Sequence, residues 1–372
     1  MPKNQTKEMQ DFLKLLGEHL GFISKTEVRI LETDEYSPIY DVVWYIDLRK
    51  KFNLDILKKY VGNIQCINEI KFLPIAVFEI EGSAVSSKKQ IGNAINLKFS
   101  RSYLKFLIVN NEQAIPEKDT YRRGLKILRY YQNNIGLDNF IFLDWTHIKN
   151  SMRDLKVTEM DRVFTVKQNK KLIRKGSGGE SKSIAIYNDI IEDLMKTGLE
   201  LKQDYTPDKC KILFFVENYI GKKVDIDDID VNIYLKKIGI KNPSSGELYN
   251  LKKISDRYYL PKLDITLGFN LPKSIIKWLI GLSHYIKHDI INNPVIFYLN
   301  KIKNPNLFVP LISMEIETSA SKHLNGGIVN MCQNSYIGIL VSTKEAIRHV
   351  EFFRKQGFNN IYFYDCEGRW EK

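Results

Sequence analysis

The chain contains the same ordered pattern of residues twice. The first copy reads SPIYDVVWYID, LPIAVFEIEGSAVSSKKQIGNAINL and SYLKFLIV, and the second reads LPKLDITLGFN, VPLISMEIETSASKHLNGGIVNM and SYIGILV. Such a repeat constrains the fold strongly, because each copy must form a structural unit of the same kind. Many apolar positions differ between the copies, whereas a small polar set recurs in the same order.

The recurring polar set consists mainly of carboxylates. Each copy has an aspartate three residues after a proline, then a Glu-Ile-Glu triplet, then a lysine near the start of the next helix-like segment. The two glutamates of each triplet share one face of a strand, because side chains alternate along it. These candidate site residues are Asp41, Glu79, Glu81 and Lys88 in the first copy and Asp264, Glu315, Glu317 and Lys322 in the second.

Short strand-like segments alternate with helix-like segments in both copies. Segments such as DVVWYI and LPIAVFEIE are β-branched and aromatic, which is typical of strands. The segments KFNLDILKKYVGNI and KSIIKWLIGLSHYIKHDII predict helices inserted between the aspartate strand and the Glu-Ile-Glu strand. The pattern predicts an α/β protein with two tandem domains, each a mixed β-sheet flanked by helices.

The repeat also predicts the domain organisation. Residues 1–155 form the first domain, and residues 156–184 a basic hairpin with a Gly/Ser-rich linker. Residues 185–255 have no obvious counterpart in the first copy and are interpreted as a candidate inserted subdomain. Residues 256–372 form the core of the second domain.

Composition narrows the choice of partner and compartment. Lysine and arginine number 56 against 44 aspartates and glutamates, giving a net charge of +12. This excess favours nucleic acid or another polyanion, although a general lysine-rich bias explains it equally well. None of the four cysteines forms a CxxC pair, which indicates a reduced cytoplasmic protein without a zinc knuckle. The apolar runs are too short for a membrane span, so no membrane partner is expected.

Three carboxylates on neighbouring strands suggest a cation site. Carboxylates at one point repel each other unless a cation lies between them. Oxygen-only ligands suit Mg²⁺ or Mn²⁺ better than zinc or copper. A bound Mg²⁺ lowers the pKa of its water and neutralises charge on a phosphoryl group. A lysine at the start of the following helix would reach the same phosphate.

The arrangement resembles the restriction-endonuclease-like, or PD-(D/E)xK, nuclease superfamily. The segment from Pro38 to Asp41 matches the P…D element, and Glu79 to Glu81 matches the (D/E)xK element. The second set is Pro261 to Asp264 and Glu315 to Glu317. The resemblance implies two tandem restriction-endonuclease-like domains that hydrolyse DNA phosphodiester bonds with Mg²⁺, or with Mn²⁺. The metal ligands it implies are Asp41, Glu79, Asp264 and Glu315.

Two features depart from this superfamily pattern. The third motif residue is glutamate in both copies, so the resemblance places the lysine role on Lys88 and Lys322 in the following segment. The chain between the aspartate and the Glu-Ile-Glu triplet is also longer than the compact hairpin of the family. The identity of the general base therefore stays open.

The resemblance favours a type II-like restriction enzyme that cuts double-stranded DNA as a single-chain pseudo-dimer. A repair, phage-defence or transposon-associated nuclease is the enzymatic alternative. A DNA-binding protein with decayed, non-catalytic nuclease folds is the alternative from another class. In a DNA-cutting protein, the candidate inserted subdomain would carry target recognition. The chain would act either as a two-lobed monomer or as a homodimer.

Overall fold

The computed structural model of the protein shows two α/β lobes. The structure describes residues 2–30, 37–49, 51–62, 64–82, 87–110, 121–122, 124–125, 140–167, 181–212, 261–286, 293–302, 304–317 and 324–366. We use the name first lobe for the described residues up to 167 and second lobe for those from 181 onward.

The first lobe is built on a five-stranded mixed sheet. Its elements are α1 (Pro2–His19), β1 (Ile23–Arg29), β2 (Ile39–Asp47), a 3₁₀ turn (Leu54–Leu57), α2 (Lys58–Val61), α3 (Ile64–Lys71), β3 (Phe72–Glu81), α4 (Ser87–Phe99), β4 (Leu104–Val109), β5 (Phe140–Asp144), α5 (Trp145–Ser151) and a 3₁₀ turn (Glu159–Arg162). The strand order is β1-β2-β3-β4-β5. The β1–β2 and β2–β3 pairs are antiparallel, and the β3–β4 and β4–β5 pairs are parallel.

The second lobe repeats this topology. Its elements are α6 (Ser181–Met195), β6 (Glu200–Tyr205), β7 (Leu263–Asn270), α7 (Lys273–Leu282), α8 (Pro294–Lys301), β8 (Phe308–Glu317), α9 (Leu324–Asn334), β9 (Ile337–Ser342), a 3₁₀ turn (Lys344–Ala346), α10 (Ile347–Lys355) and β10 (Ile361–Asp365). The strands lie in the order β6-β7-β8-β9-β10, antiparallel up to β8 and parallel beyond it. None of the described helices is both long and apolar enough to cross a membrane.

The register of the two sheets agrees in detail. A β-bulge interrupts the ladder between Trp44 and Tyr45 in β2, and between Leu267 and Gly268 in β7. Each bulge lies between the third and fourth residues after the candidate aspartate, Asp41 or Asp264. The predicted α/β class, with two mixed sheets flanked by helices, is confirmed.

Two edge strands are absent from the sequence-based prediction. Strands β1 (ISKTEVR) and β6 (ELKQDY) lie at the sheet edges and are largely polar, so they lack the β-branched and aromatic run that marks a strand in sequence. Strand β6 pairs with β7, so residues 200–205 of the candidate inserted subdomain are hydrogen-bonded into the second sheet. A domain boundary at residue 256 would separate these two strands. The rest of the candidate inserted subdomain, residues 213–255, lies outside the described residues.

The two lobes share one apolar core. The inner faces of both sheets join α1, α6, α7 and α8 in a continuous cluster of buried side chains. Smaller clusters cover the outer faces, where α4 packs on the first sheet and α9 with α10 on the second. Burial of apolar surface between the lobes is therefore a major part of the folding free energy.

The long connections between the central strands cross from one lobe to the other. We name residues 48–71, between β2 and β3, the first arm. Its Asn53 N–H donates to the carbonyl oxygen of Thr197 at 2.9 Å. The hydroxyl of Tyr60 donates to Asp193 Oδ2 at 2.9 Å, and its ring centroid lies 4.9 Å from that of Tyr364. The first arm is thus anchored on the second lobe.

The second arm, residues 271–307 between β7 and β8, makes the reciprocal contacts. Asn293 Oδ1 accepts a hydrogen bond from the backbone N–H of Phe142 at 2.7 Å. Trp278 Nε1 donates to Ser151 Oγ at 2.9 Å. The helix predicted in the second arm forms as α7 up to Leu282, and residues 287–291 of that prediction lie outside the described residues. In the first arm, the predicted segment forms a 3₁₀ turn and the short helix α2, and α3 follows it. The contacts explain why the connections exceed a hairpin: each arm covers the inner face of the opposite sheet.

Trp44 lies where the second arm meets the first sheet. Its indole is fully buried, with ring centroids 4.4 Å from Phe78 and 5.6 Å from Trp278. Its Nε1 donates to the carbonyl oxygen of Leu13 at 3.0 Å, which fixes α1 against the sheet. The room for this ring comes from Gly17, because a Cβ there would lie 2.4 Å from Trp44 Nε1.

We expect Gly17→Ala to destabilise the protein by about 1–3 kcal/mol, the usual cost of forcing an extra methyl into a packed core. Thermal unfolding followed by circular dichroism measures the effect. Gly92→Ala is the matched control, because a Cβ at this helical glycine meets no atom of the described residues within 4 Å. The control should unfold at the wild-type temperature or above it. An unchanged Gly17→Ala protein would mean that Trp44 is free to move.

Candidate active site

Asp41, Glu79 and Glu81 of the first lobe come together at one end of the sheet. Val42 pairs with Phe78 across the antiparallel β2–β3 ladder, so Asp41 and Glu79 occupy the next opposed position. Glu81 lies two residues further along β3 and faces the same side as Glu79. Helix α4 begins six residues after Glu81 and packs over this face of the sheet.

Asp41 ends the β2–β3 ladder. Its Oδ2 accepts the backbone N–H of Ile80 at 2.7 Å, and its Oδ1 accepts Gln10 Nε2 of α1 at 2.9 Å. Burial raises the pKa of Asp41, while the hydrogen bonds from Ile80 and Gln10 oppose the rise. The aspartate therefore holds together two strands and a helix, in addition to any role in chemistry.

Glu79 is buried beside Asp41 with one oxygen unsatisfied. Its Oε1 is shielded from solvent and has no hydrogen-bond partner among the described residues. Burial raises the pKa of Glu79 to about 9, and the negative charges of Asp41 and Glu81 add to the rise. At neutral pH and without a cation, Glu79 is thus protonated and hydrogen-bonded to Asp41. Burying an ionised carboxylate would require a compensating positive charge.

Glu81 is the most deeply buried of the three. Its exposed fraction is 0%, and its Oε1 accepts a hydrogen bond from Asn93 Nδ2 of α4 at 2.5 Å. Lys89 Nζ lies 3.5 Å from Glu81 Oε2. Burial raises the pKa of Glu81 to about 7, and the charge of Lys89 opposes that rise. This carboxylate titrates near neutrality, which suits a group that exchanges protons with water.

The lysine at this site is Lys89, whereas the sequence predicts Lys88. Both residues lie in the first turn of α4, where consecutive side chains point about 100° apart because of the helical period. Both side chains are exposed, but Lys89 Nζ reaches Glu81 and also acts on the pKa of Asp41. The repeat alignment selects Lys88, because it places Lys322 opposite Lys88 and His323 opposite Lys89.

The second lobe carries the same carboxylate arrangement. Asp264 Oδ2 accepts the backbone N–H of Ile316 at 3.1 Å, the counterpart of the bond from Ile80 to Asp41. Glu315 Oε1 is buried without a hydrogen-bond partner among the described residues, like Glu79 Oε1. Burial raises the pKa of Glu315 to about 8, with the charge of Asp264 as the next cause. Glu317 is half-buried, and Lys322 lies outside the described residues.

The residues around the two aspartates and glutamates differ. When the copies are aligned by the registers of β1 and β6, Tyr187 of α6 takes the position of Gln10 of α1. The Tyr187 hydroxyl donates to the backbone oxygen of Asp264 at 3.3 Å. Gly327 replaces Asn93 when α9 is aligned with α4. A Cβ at Gly327 would lie 3.3 Å from Glu315 Cγ, so this glycine packs directly against the glutamate. The first lobe therefore has more polar groups around its carboxylates.

A shared backbone feature lies opposite each aspartate. Glu27 of β1 has a φ of 53° and Asp204 of β6 a φ of 46°, the left-handed region that non-glycine residues rarely adopt. Both interrupt the ladder at the position facing Asp41 or Asp264. Strained residues of this kind persist where the surrounding structure enforces them, often at functional sites. Nothing in the repeat pattern of the sequence indicated these two residues.

The donors at both sites suit a hard divalent cation. Carboxylate oxygens are the ligands that Mg²⁺ and Mn²⁺ prefer, and the unsatisfied oxygens of Glu79 and Glu315 are available to such an ion. Within the described ranges, no three His, Cys, Asp or Glu side chains are arranged to hold a metal as they stand.

Comparisons with known proteins identify no relative: no protein-family model matches the chain, and neither a curated protein nor a solved structure shows significant similarity. The resemblance to restriction-endonuclease-like proteins therefore stays a prediction, and function has to be argued from the site itself.

We expect the cation-free protein to lose stability as pH rises from about 5 to about 9. The folded state retains protons on Glu79, Glu315 and Glu81 at pH values where the unfolded chain has released them, so raising the pH favours unfolding. Each such proton contributes a slope of about 1.4 kcal/mol per pH unit. Chemical denaturation in EDTA across this range measures the slope.

Glu79→Gln removes one of these protons and should flatten the slope between pH 6 and pH 8. Exposed Glu8 on α1 provides the control, because Glu8→Gln should keep the wild-type slope. Equal slopes for Glu79→Gln and wild type would mean that Glu79 is ionised in the folded protein.

Proposed function

We propose that this chain is a divalent-cation-dependent DNA endonuclease, built as a single-chain pseudo-dimer of the type II restriction kind. One observation carries the proposal: two lobes whose apolar residues have diverged keep the same Asp-Glu-Glu set, the same backbone hydrogen bond to the aspartate and the same unsatisfied glutamate oxygen.

The energetic cost of these carboxylates supports a functional role. A buried carboxylate with an unsatisfied oxygen destabilises a protein unless a cation or donor completes it. Glu79 is 5% exposed and Glu81 0% exposed, so solvent does not relieve the cost. Retaining both glutamates in each lobe is best explained by a bound cation.

Asp41 and Glu79 would hold the cation in the first lobe, and Asp264 and Glu315 would hold it in the second. When bound, Mg²⁺ or Mn²⁺ supplies Lewis-acid chemistry at the phosphate and lowers the pKa of coordinated water. Glu81 titrates near neutrality and would accept the proton of the attacking water. The ammonium group of Lys89, beside Glu81, would stabilise negative charge on the phosphate oxygens.

The substrate class follows from charge and symmetry. A net charge of +12 favours a polyanion, and phosphate contacts dominate the affinity of proteins for nucleic acids. The two strands of duplex DNA are antiparallel and related by local two-fold symmetry, which symmetric nucleases match with two sites. Two lobes with reciprocal arms provide such a pair of sites within one chain.

A non-catalytic DNA-binding protein is the second candidate. The observation that favours it is the hydrogen bond between Glu79 and Asp41, which satisfies these two groups in part without a metal. Such a protein would retain the basic surface and bind DNA in a salt-dependent manner without cleaving it.

The decisive assay uses supercoiled and long linear DNA with the purified protein, in Mg²⁺ or Mn²⁺ and in EDTA. We expect discrete fragments that form only with the divalent cation. DNA that shifts on a gel but stays intact in both metals, over several DNA sequences, would establish the non-catalytic candidate instead.

Single-site variants then assign the lobes. If each lobe cuts one strand, Glu79→Ala and Glu315→Ala should each convert supercoiled DNA only to nicked circles, and the double variant should leave it supercoiled. Wild-type cleavage by Glu315→Ala would show that the second lobe does not cut. Glu8→Ala, on the exposed face of α1, should cleave like wild type.

The adjacent lysines provide a sharper test of the first site. We expect Lys89→Ala to lower the cleavage rate about 10²-fold or more, because it removes a preorganised cation at the carboxylates. Lys88→Ala, one position away and exposed, should stay within about twofold of wild type. The cleavage rate on a single plasmid substrate measures the effect of each variant. A larger loss of rate in Lys88→Ala than in Lys89→Ala would favour Lys88, the lysine that the sequence predicts.

A further inference from the structure

A cavity of about 650 Å³ lies between the two lobes, away from the carboxylates. The first lobe lines it with residues 98–103 and 105, at the end of α4 and the start of β4. The second lobe contributes residues 207–209, 332–336, 357, 359 and 360, together with Pro310. Pro310 precedes Glu315 by five positions along β8, so the cavity is roughly 16 Å from that carboxylate at strand geometry. We name it the interlobe pocket.

The lining of the interlobe pocket is strongly cationic. Among the described residues, the lining carries four basic side chains, Lys98, Arg101, Lys105 and Lys209, and one carboxylate, Asp208. Two of these cations contact neutral backbone oxygens: Lys105 Nζ donates to that of Lys98 at 3.4 Å, and Lys209 Nζ donates to that of Gln333. Asp208 is already engaged, since its Oδ2 accepts the backbone N–H of Phe308 at 2.7 Å and its Oδ1 lies 3.2 Å from Lys211 Nζ. Arg101 pairs with Glu69 at 3.5 Å, but both side chains are more than 40% exposed, so the pair is weak. The pocket therefore favours an anion.

An exposed aromatic ring stands beside these cations. Phe99, the last residue of α4, is 69% exposed although it lines the pocket. Tyr103 and Tyr336 also line it, and the Tyr336 hydroxyl donates to the backbone oxygen of Pro74 across the lobe boundary at 2.9 Å. Aromatic rings next to basic side chains are the combination that stacks nucleobases while phosphates are held.

Most of these properties come from the first copy of the repeat. Aligning α4 with α9 places Cys332 and Gln333 at the positions of Lys98 and Phe99. The strand registers place Gly338 of β9 at the position of Lys105 of β4. Segments that diverged from one origin thus face each other, and the first-lobe copy supplies three of the four cations and the exposed ring. The divergence is not needed for the sheet, which is the same in both lobes.

We propose that the interlobe pocket binds a phosphorylated nucleoside. Its volume is typical of small-molecule sites, about 300–1,000 Å³. Arg101 and its neighbouring lysines would hold the phosphate, and Phe99 would stack on the base. The same chemistry is presented by a free nucleotide and by the phosphorylated end of a nucleic acid strand. The site lies outside the proposed nuclease centres and does not depend on cleavage.

Isothermal titration calorimetry of the full chain in EDTA tests the proposal, since cleavage is then suppressed. The probes are AMP, ATP, a 5′-phosphorylated tetranucleotide and inorganic phosphate. We expect at least one nucleoside-containing probe to bind, and Arg101→Gln and Phe99→Ser each to weaken its Kd at least tenfold. Both side chains are exposed, so the variants should fold. Lys14→Gln, which removes an exposed cation of α1 outside the pocket, should leave the Kd unchanged.

The probes separate the sources of the ligand. Tighter binding of AMP or ATP would identify a free nucleotide, and tighter binding of the tetranucleotide would identify a strand end; either supports the proposal if both variants lose affinity. Three results would overturn it: no binding by any probe, equal binding of inorganic phosphate and nucleotides, or binding that is insensitive to Arg101 and Phe99.

Discussion

The apolar core that the two lobes share is the interaction on which the rest of the structure depends. Trp44 of the first sheet and Trp278 of the second arm meet with ring centroids 5.6 Å apart inside the shared core. Because each arm covers the inner face of the opposite sheet, neither sheet is fully buried by its own copy. Burial between the lobes stabilises both sheets, and the sheets in turn hold the buried carboxylates at their ends against charge repulsion.

Each carboxylate set combines a structural and a chemical property. Asp41 and Asp264 end the ladder of their sheet by accepting the N–H of Ile80 or Ile316. The glutamates beside them are buried, with pKa values raised by that burial. Backbone hydrogen bonds between strands, rather than loops, fix the positions of these groups. The strands thus hold the acidic side chains in place without a bound ligand.

The sequence predicted the features that the repeat makes visible and missed those that depend on tertiary contacts. The central strands, the arm helices and the α/β class followed from periodicity and duplication. The polar edge strands β1 and β6 escaped, because their residues resemble loop sequence. Gln10 reaches Asp41 from a distant helix, and only the direction of α4 selects Lys89 over Lys88. No local pattern contains that information.

The crossing arms also say something about ancestry. A single copy of this fold could have buried its arm only against a second molecule of the same kind, which describes an arm-exchanged homodimer. Fusion of two such genes would have converted an obligate partnership into an intramolecular one. A substitution in the gene of a homodimer changes both subunits, whereas the two halves of a fused chain can be substituted independently. The replacement of Lys98, Phe99 and Lys105 by Cys332, Gln333 and Gly338 is the kind of asymmetry that fusion permits.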